Sequence, residues 1–275
     1  MNRTIKIVGL FLVAALFLVG TPPITFNIEN YWYEVVDDHE GPGGGLLIHW
    51  DEPYTGGSNI FGCSSGSDDK DVRYIITVDG VDVDTVVETT YTLYTPAKLV
   101  QIWALVDSEY MSESPAEIEL ETVETPSLIV WSLADPLPEH PSGFGFTDEG
   151  RALSYLVQES MYAEEIDFYV DSALVLAASS EYQPESLNAK KNWISTEEST
   201  YEELEIVSPA VPESYNATAE LAEGGVYALR VQRELGHESY EYFFAKAKVV
   251  AIDENEVVFK VAYQPEAGLR WVVTE

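Results

Sequence analysis

Short runs of alternating apolar and polar residues, each closed by turn chemistry within about ten residues, are what most constrain the fold of this chain. The clearest stretch is residues 91–120, where Leu99–Asp107 and Ala116–Val123 read as two paired strands. A period of two puts every second side chain on one face, so such segments must lay that face on another sheet. Val72–Val78 is strongly β-branched, and Asp79-Gly80 is a hairpin signal before Val81–Val87. Phe26–Val36, with Tyr31, Trp32 and Tyr33, and Leu46–Trp50 flank the turn tract Gly41–Gly45, while Tyr54–Asp71 is a loop dense in Gly and Ser. With Thr90–Tyr94 these give about seven strands in roughly 100 residues, the count and spacing of a β-sandwich.

The second half is also strand-rich. Glu124-Thr125-Pro126-Ser127 punctuates a join, which predicts one domain at 27–125 and another at 127–275, opening on a strand at Leu128–Trp131. Ile166–Asp171, Ala173–Ala177 and Gly225–Val231 read as strands, Ala152–Val157 as a strand or a short helix, and Pro184–Asn192 as a short helix. Tyr242–Ile252 pairs through Asp253–Glu256 with Val257–Tyr263 in a long C-terminal hairpin. The expected fold is mostly β: an N-terminal β-sandwich followed by a second β-rich domain.

A family resemblance rests on spaced positions in the first half. Ile48-His49-Trp50-x-x-Pro53, Arg73-Tyr74-x-Ile76, Leu93-x-x-Pro96, Val100-x-Ile102-x-Ala104 and Ser112-x-Ser114 together resemble a fibronectin type III domain over about residues 22–125. The resemblance implies that Trp50 is a core residue, that Tyr74 lies on the third strand and that the Leu93-to-Pro96 turn enters the penultimate strand. It departs at Val100, near where the family's corner tyrosine falls. It implies a spacer, adhesion or presentation module and no catalysis. Gly225–Arg230, Ala245–Val249 and Val258–Tyr263 are similar to closing strands of secreted bacterial surface proteins, some of them haem-scavenging lipoproteins. No Met or His pair suits an axial haem site, so that function does not carry over.

Charge and the first residues narrow the setting. With 14 Lys and Arg against 48 Asp and Glu, the formal charge is −34, which excludes a plain electrostatic nucleic-acid binder because phosphate binding needs clustered cations. The acid is spread evenly, with 21 acids against 3 bases in residues 27–126 and 27 against 9 in residues 127–275. Even acidity with 46% hydrophobic residues indicates folded domains with solvated acidic surfaces, suited to a salty habitat or a cation-rich cell wall. Arg3 and Lys6, the apolar run Ile7–Val19 and then Gly20–Pro23 have the layout of a secretory signal over residues 1–26, with an uncleaved anchor as the alternative. That predicts a secreted or cell-surface protein touching a membrane only through such a leader.

No residues form a recognisable catalytic constellation: there is no Gly-x-Ser-x-Gly elbow and no phosphate-binding loop. His39, His49, His140 and His237 lack zinc-site spacing, and Cys63 is a single cysteine with no intrachain partner. Asp68, Asp69 and Asp71, and separately Asp79, Asp82 and Asp84, offer loop oxygens for calcium but lack the full twelve-residue calcium loop. Trp32, Tyr54 and Trp193 are the aromatic ligand-contact candidates, able to stack on sugars or anchor a protein. No cofactor is expected beyond calcium. The expectation is an exported, non-catalytic protein acting in binding, adhesion or scaffolding, its partner an envelope protein or polysaccharide. An accessory carbohydrate-binding protein is the alternative, and a hydrolase with an acidic site ranks below it.

Overall fold

The structure, a computed structural model, describes residues 26–36, 44–53, 71–108, 110–182, 190–208, 215–236 and 239–274. It is mostly β, as the alternation predicts, with eighteen strands and two single-turn 3-10 segments among the described residues. The first eight strands are β1 (Tyr31–Val36), β2 (Gly45–Trp50), β3 (Val72–Val78), β4 (Val81–Val86), β5 (Thr90–Leu93), β6 (Leu99–Val106), β7 (Tyr110–Met111) and β8 (Ala116–Glu119). They form two antiparallel sheets, β1-β2-β5 and β4-β3-β6, with β7 and β8 both on the far edge of β6.

Strand alternation aims one face of each sheet at the other. Leu46, Ile48 and Trp50 of β2 meet Tyr74, Ile76 and Val78 of β3, Val100, Ile102, Ala104 and Val106 of β6, and Ile118 of β8 in one core. Trp50 lies edge-on to Tyr74 with ring centroids 5.1 Å apart, an arrangement favoured by the ring quadrupoles. Asp79 and Gly80 both adopt left-handed backbone, at φ 48° and 81°, which is the tight hairpin that Asp-Gly predicts. The Asp79 carboxylate then accepts hydrogen bonds from the backbone N–H groups of Lys98 and Leu99, pinning the hairpin to the start of β6.

Where a join is expected, the chain runs extended. Strand β8 stops at Glu119, and β9 (Val123–Trp131) passes straight through Glu124–Ser127. Pro126 is accommodated because β9 is an edge strand and its pairing with the neighbouring strand shifts between Thr125 and Leu128. A proline, lacking an N–H, is tolerated at such an irregular edge.

The remaining strands are β10 (Gly143–Phe146), β11 (Ala152–Tyr155), β12 (Phe168–Val170), β13 (Val175–Ala178), β14 (Trp193–Glu197), β15 (Thr218–Glu220), β16 (Val226–Gly236), β17 (Ser239–Asp253) and β18 (Glu256–Gln264). They make two antiparallel five-stranded sheets, β11-β10-β12-β13-β15 and β14-β16-β17-β18-β9. Between them lies a second core rich in aromatic residues, including Phe144, Phe146, Phe168, Phe259 and Tyr263. Gly145 sits where an added Cβ would come within 1.8 Å of the Glu165 carbonyl oxygen, so only glycine lets β10 approach that backbone. The C-terminal hairpin forms as predicted, turning at Glu254–Asn255 between β17 and β18. Ala152–Val157 yields the strand β11 rather than a helix. The helix expected at Pro184–Asn192 falls mostly outside the described residues, and Lys190–Asn192 are irregular.

After β18 the chain crosses back to the first sandwich. Leu269 and Trp271 are fully buried in the first core, beside residues of β2, β3 and β6. The Val207 N–H donates to the Arg270 carbonyl at 2.9 Å, and the Val272 N–H donates to the Glu205 carbonyl at 2.8 Å. Trp271 also bridges Ile206 in antiparallel register. This strap adds a third, smaller core in which Val272 meets Tyr201, Leu204, Val207 and Phe244.

Candidate functional site

The strap leaves a groove of about 580 Å³ where it passes the ends of β6, β8 and β9. Lys98, Leu99, Glu119, Glu121, Thr122 and Glu124 line it, together with Val273 and Thr274 of the strap. Each wall follows from local structure. Lys98 and Leu99 are fixed through their backbone by Asp79, and Leu120 donates its N–H to the Lys98 carbonyl at 2.8 Å. That bond holds the segment carrying the glutamates against the start of β6. The Thr122 hydroxyl is buried in the wall and has no hydrogen-bond partner among the described residues.

Glu124 connects the groove to a cationic and aromatic cluster behind it. Its carboxylate pairs with the Lys260 ammonium at 3.0 Å and accepts a long hydrogen bond, 3.4 Å, from the Tyr201 hydroxyl. Two ammonium groups approach the Tyr201 ring, Lys246 at 4.5 Å and Lys260 at 4.7 Å from its centroid. Burial, reinforced by Glu124, holds the Tyr201 phenol far above its ordinary range, so it donates and does not ionise. With Glu124 balanced by Lys260, the groove presents Glu119 and Glu121 against Lys98. It therefore favours a cation, and it offers a short apolar floor at Leu99 and Val273.

Lys246 lies wholly inside the protein, between Ala228 and Ala262 on the neighbouring strands. Those small side chains leave room for its stem. Its ammonium donates to the carbonyls of Tyr201 and Leu204 at 2.8 and 3.0 Å. Burial pushes its pKa down to about 8, against the pull of nearby Glu202 and Glu124. A perturbed lysine is a common mark of chemistry, but this one is enclosed and held by backbone, which is a structural role.

A second buried charge joins the two sheets of the larger core. Asp167 is inaccessible to solvent and receives both Nη groups of Arg233, the Nη2 contact at 2.7 Å, and the Phe146 N–H at 3.0 Å. Asn192 Nδ2 donates to the Asp167 carbonyl at 2.9 Å. Bidentate pairing with further hydrogen bonds is what permits a carboxylate to be buried.

The aromatic candidates separate. Trp32 is 48% exposed and stacks on His49 at 5.2 Å, on the outer face of β1 and β2. Trp193 is partly buried on β14, with the Arg230 guanidinium 4.9 Å from its ring. Tyr54, Asp68 and Asp69 lie outside the described residues, as do His39, Cys63 and His237. Asp71 is exposed and paired with Arg73 at 2.9 Å. Asp79 accepts from the backbone of Lys98 and Leu99, while Asp82 and Asp84 accept from Thr77 and Thr85, and no three His, Cys, Asp or Glu among the described residues gather as a metal site would require. His140 stacks on Trp131 at 3.8 Å and contacts Asp135. Sequence reasoning missed the groove, because Val273 and Thr274 are brought to Lys98 and the glutamates by the strap. The one available signal was the rarity of cations, which made Lys98, just before a predicted strand, worth following.

No family model matches the chain, and no curated protein does. A DUF4466 family protein from Parabacteroides merdae ATCC 43184 is similar to it in structure at 10% identity, with a TM-score of 0.37, over 88% of this chain and 99% of that one. Among the described residues no helix is long and apolar enough to cross a membrane.

Proposed function

We propose that this is an exported, non-catalytic protein of the cell envelope or extracellular space that binds a partner through the groove beside the strap. The leader-like layout of residues 1–26 supports export, and the two facing sheets of β1–β8 support the fibronectin type III reading, a presentation module. The observation that carries binding is the groove itself: a concave site where Glu119 and Glu121 outnumber Lys98, with Leu99 and Val273 as apolar lining. Those features fit a basic segment of an envelope protein, with Lys or Arg head groups on the glutamates and their methylene stems over Leu99 and Val273.

Retention of the protein on the producing cell's envelopes, and titration with a Lys-rich peptide, test this directly. The double variant Glu119→Gln, Glu121→Gln keeps shape while removing charge, and is expected to weaken both by about tenfold or more, consistent with losing two charged contacts. Equal retention of wild type and variant, with both folded, refutes the groove as the binding site.

A further inference from the structure

On the face of the sheet β14-β16-β17-β18-β9 that carries the third core, beside that core, one arginine is built into a position that its own chain does not explain. Arg230 on β16 pairs in register with Trp193 on β14 and Phe244 on β17. Its guanidinium lies 4.9 Å from the Trp193 ring centroid and 4.6 Å from that of Tyr242. Both stacking partners are thus supplied by neighbouring strands, Tyr242 through the diagonal cross-strand position.

The edge of the guanidinium has no such partner. Among the described residues Arg230 makes no ion pair, although acids outnumber bases 48 to 14 in this chain. Its Nε is buried without an acceptor, as is Nε1 of the neighbouring Trp193, while its Nη groups are not among the buried atoms and donate no hydrogen bond. Burial pushes the Arg230 pKa down, and the groups that oppose this are the phenols of Tyr242 and Tyr215, with no carboxylate contributing. A cation that is partly desolvated, held flat by two rings and open at its terminal edge has the geometry for receiving a planar anion in two parallel hydrogen bonds.

Around it are the groups a sugar would use. Tyr240 and Tyr242 are 47% and 36% exposed on the same strand, two residues apart and so on the same face. Gln232 Nε2 donates to the Tyr242 hydroxyl at 3.3 Å, and exposed Glu234 stands opposite Tyr240. We propose that Arg230, clamped between Trp193 and Tyr242, anchors a second binding site that takes a uronic-acid saccharide, its carboxylate on the Nη edge of Arg230 and a neighbouring sugar face on Tyr240. Glu234 accepts from sugar hydroxyls beside that ring. The negative field of the whole protein opposes an anionic ligand, but at physiological salt it is screened beyond about 8 Å, and the contact to Arg230 is shorter than that.

The full-length protein, titrated with trigalacturonate and followed by tryptophan fluorescence, tests the site, since Trp193 lies against the recognised group. Saturable binding is expected, weakened at least tenfold in Arg230→Met and in Arg230→Lys, which keeps the charge but not the fork. Tyr240→Ala, an exposed change that leaves the clamp intact, is expected to weaken it about threefold and serves if the Arg230 variants do not fold. The fully methyl-esterified trisaccharide and a neutral trisaccharide are expected not to bind. Binding to the neutral sugar as tightly as to trigalacturonate, no binding to either, or equal binding of an acidic peptide overturns the proposal. The variant Glu119→Gln, Glu121→Gln leaves this titration unchanged, so the groove and the Arg230 site stand or fall separately.

Discussion

Lys246 makes stability depend on pH in a window where few other groups titrate. Its pKa is pushed down to about 8 by burial, whereas in the unfolded chain it titrates near the ordinary lysine value of about 10.4. Between those values the unfolded chain binds the proton and the folded protein does not, so stability rises with pH through the window; below it both states are charged and the burial cost is present in full. Integrated, the whole shift corresponds to about 3 kcal/mol, of which about 1 kcal/mol is gained between about pH 7 and about pH 9. The buried tyrosines act in the opposite direction. Tyr33, Tyr74 and Tyr169 are pushed up to about 12, so their protonated folded forms lose stability relative to the unfolded chain only above about pH 9 to 10. Lys246→Met isolates the lysine. It leaves the Tyr201 and Leu204 carbonyls without their donor, which costs a constant amount at every pH. Urea denaturation of both proteins at matched ionic strength from about pH 7 to about pH 9 is expected to show wild type gaining about 1 kcal/mol on the variant. A difference that stays constant over that range refutes the reasoning, because it means Lys246 either remains charged throughout or is already neutral at pH 7.

Two further outcomes follow from burial. Asp167→Ala strands the Arg233 guanidinium between the two large sheets, and denaturant titration should show a loss of about 3–5 kcal/mol, the cost of breaking a buried pair from one side. Trp271→Ala removes a fully buried ring from the first core. A loss of about 3–5 kcal/mol is expected, with limited proteolysis of residues 26–120 rising in parallel; cleavage confined to residues beyond 120 would contradict the placement of that ring.

Much of the fold could be read in advance, and the limits have physical causes. The Asp79-Gly80 turn, the β2, β3 and β6 strands and the β17–β18 hairpin were legible because local alternation and turn chemistry agree there. Trp50 is a core residue and Tyr74 lies on the third strand, β3, as expected, and Val100 serves as a buried aliphatic in the same core. Strand β14 was not legible, since Trp193-Ile194-Ser195-Thr196-Glu197 is stabilised by its register on β16 rather than by a strong local signal. The continuity of β9 through Pro126 was hidden because proline reads as a break unless the strand is known to be an edge. The groove and the Arg230 clamp are assembled from segments far apart in sequence, such as Lys98 and Thr274 around the groove, which no local pattern reports.

The strap also sets an order of events. Residues 26–120 leave the ribosome long before Trp271, which lies about 150 positions further along the chain than Leu120. Until Leu269 and Trp271 arrive, the first sandwich has its sheets but not its full interior. A domain in that condition exposes apolar surface and closes only marginally. The first sandwich therefore completes its interior last, although most of it is made first. On the export proposed above, that delay is useful: a segment that cannot complete its core is one that can still be threaded across a membrane.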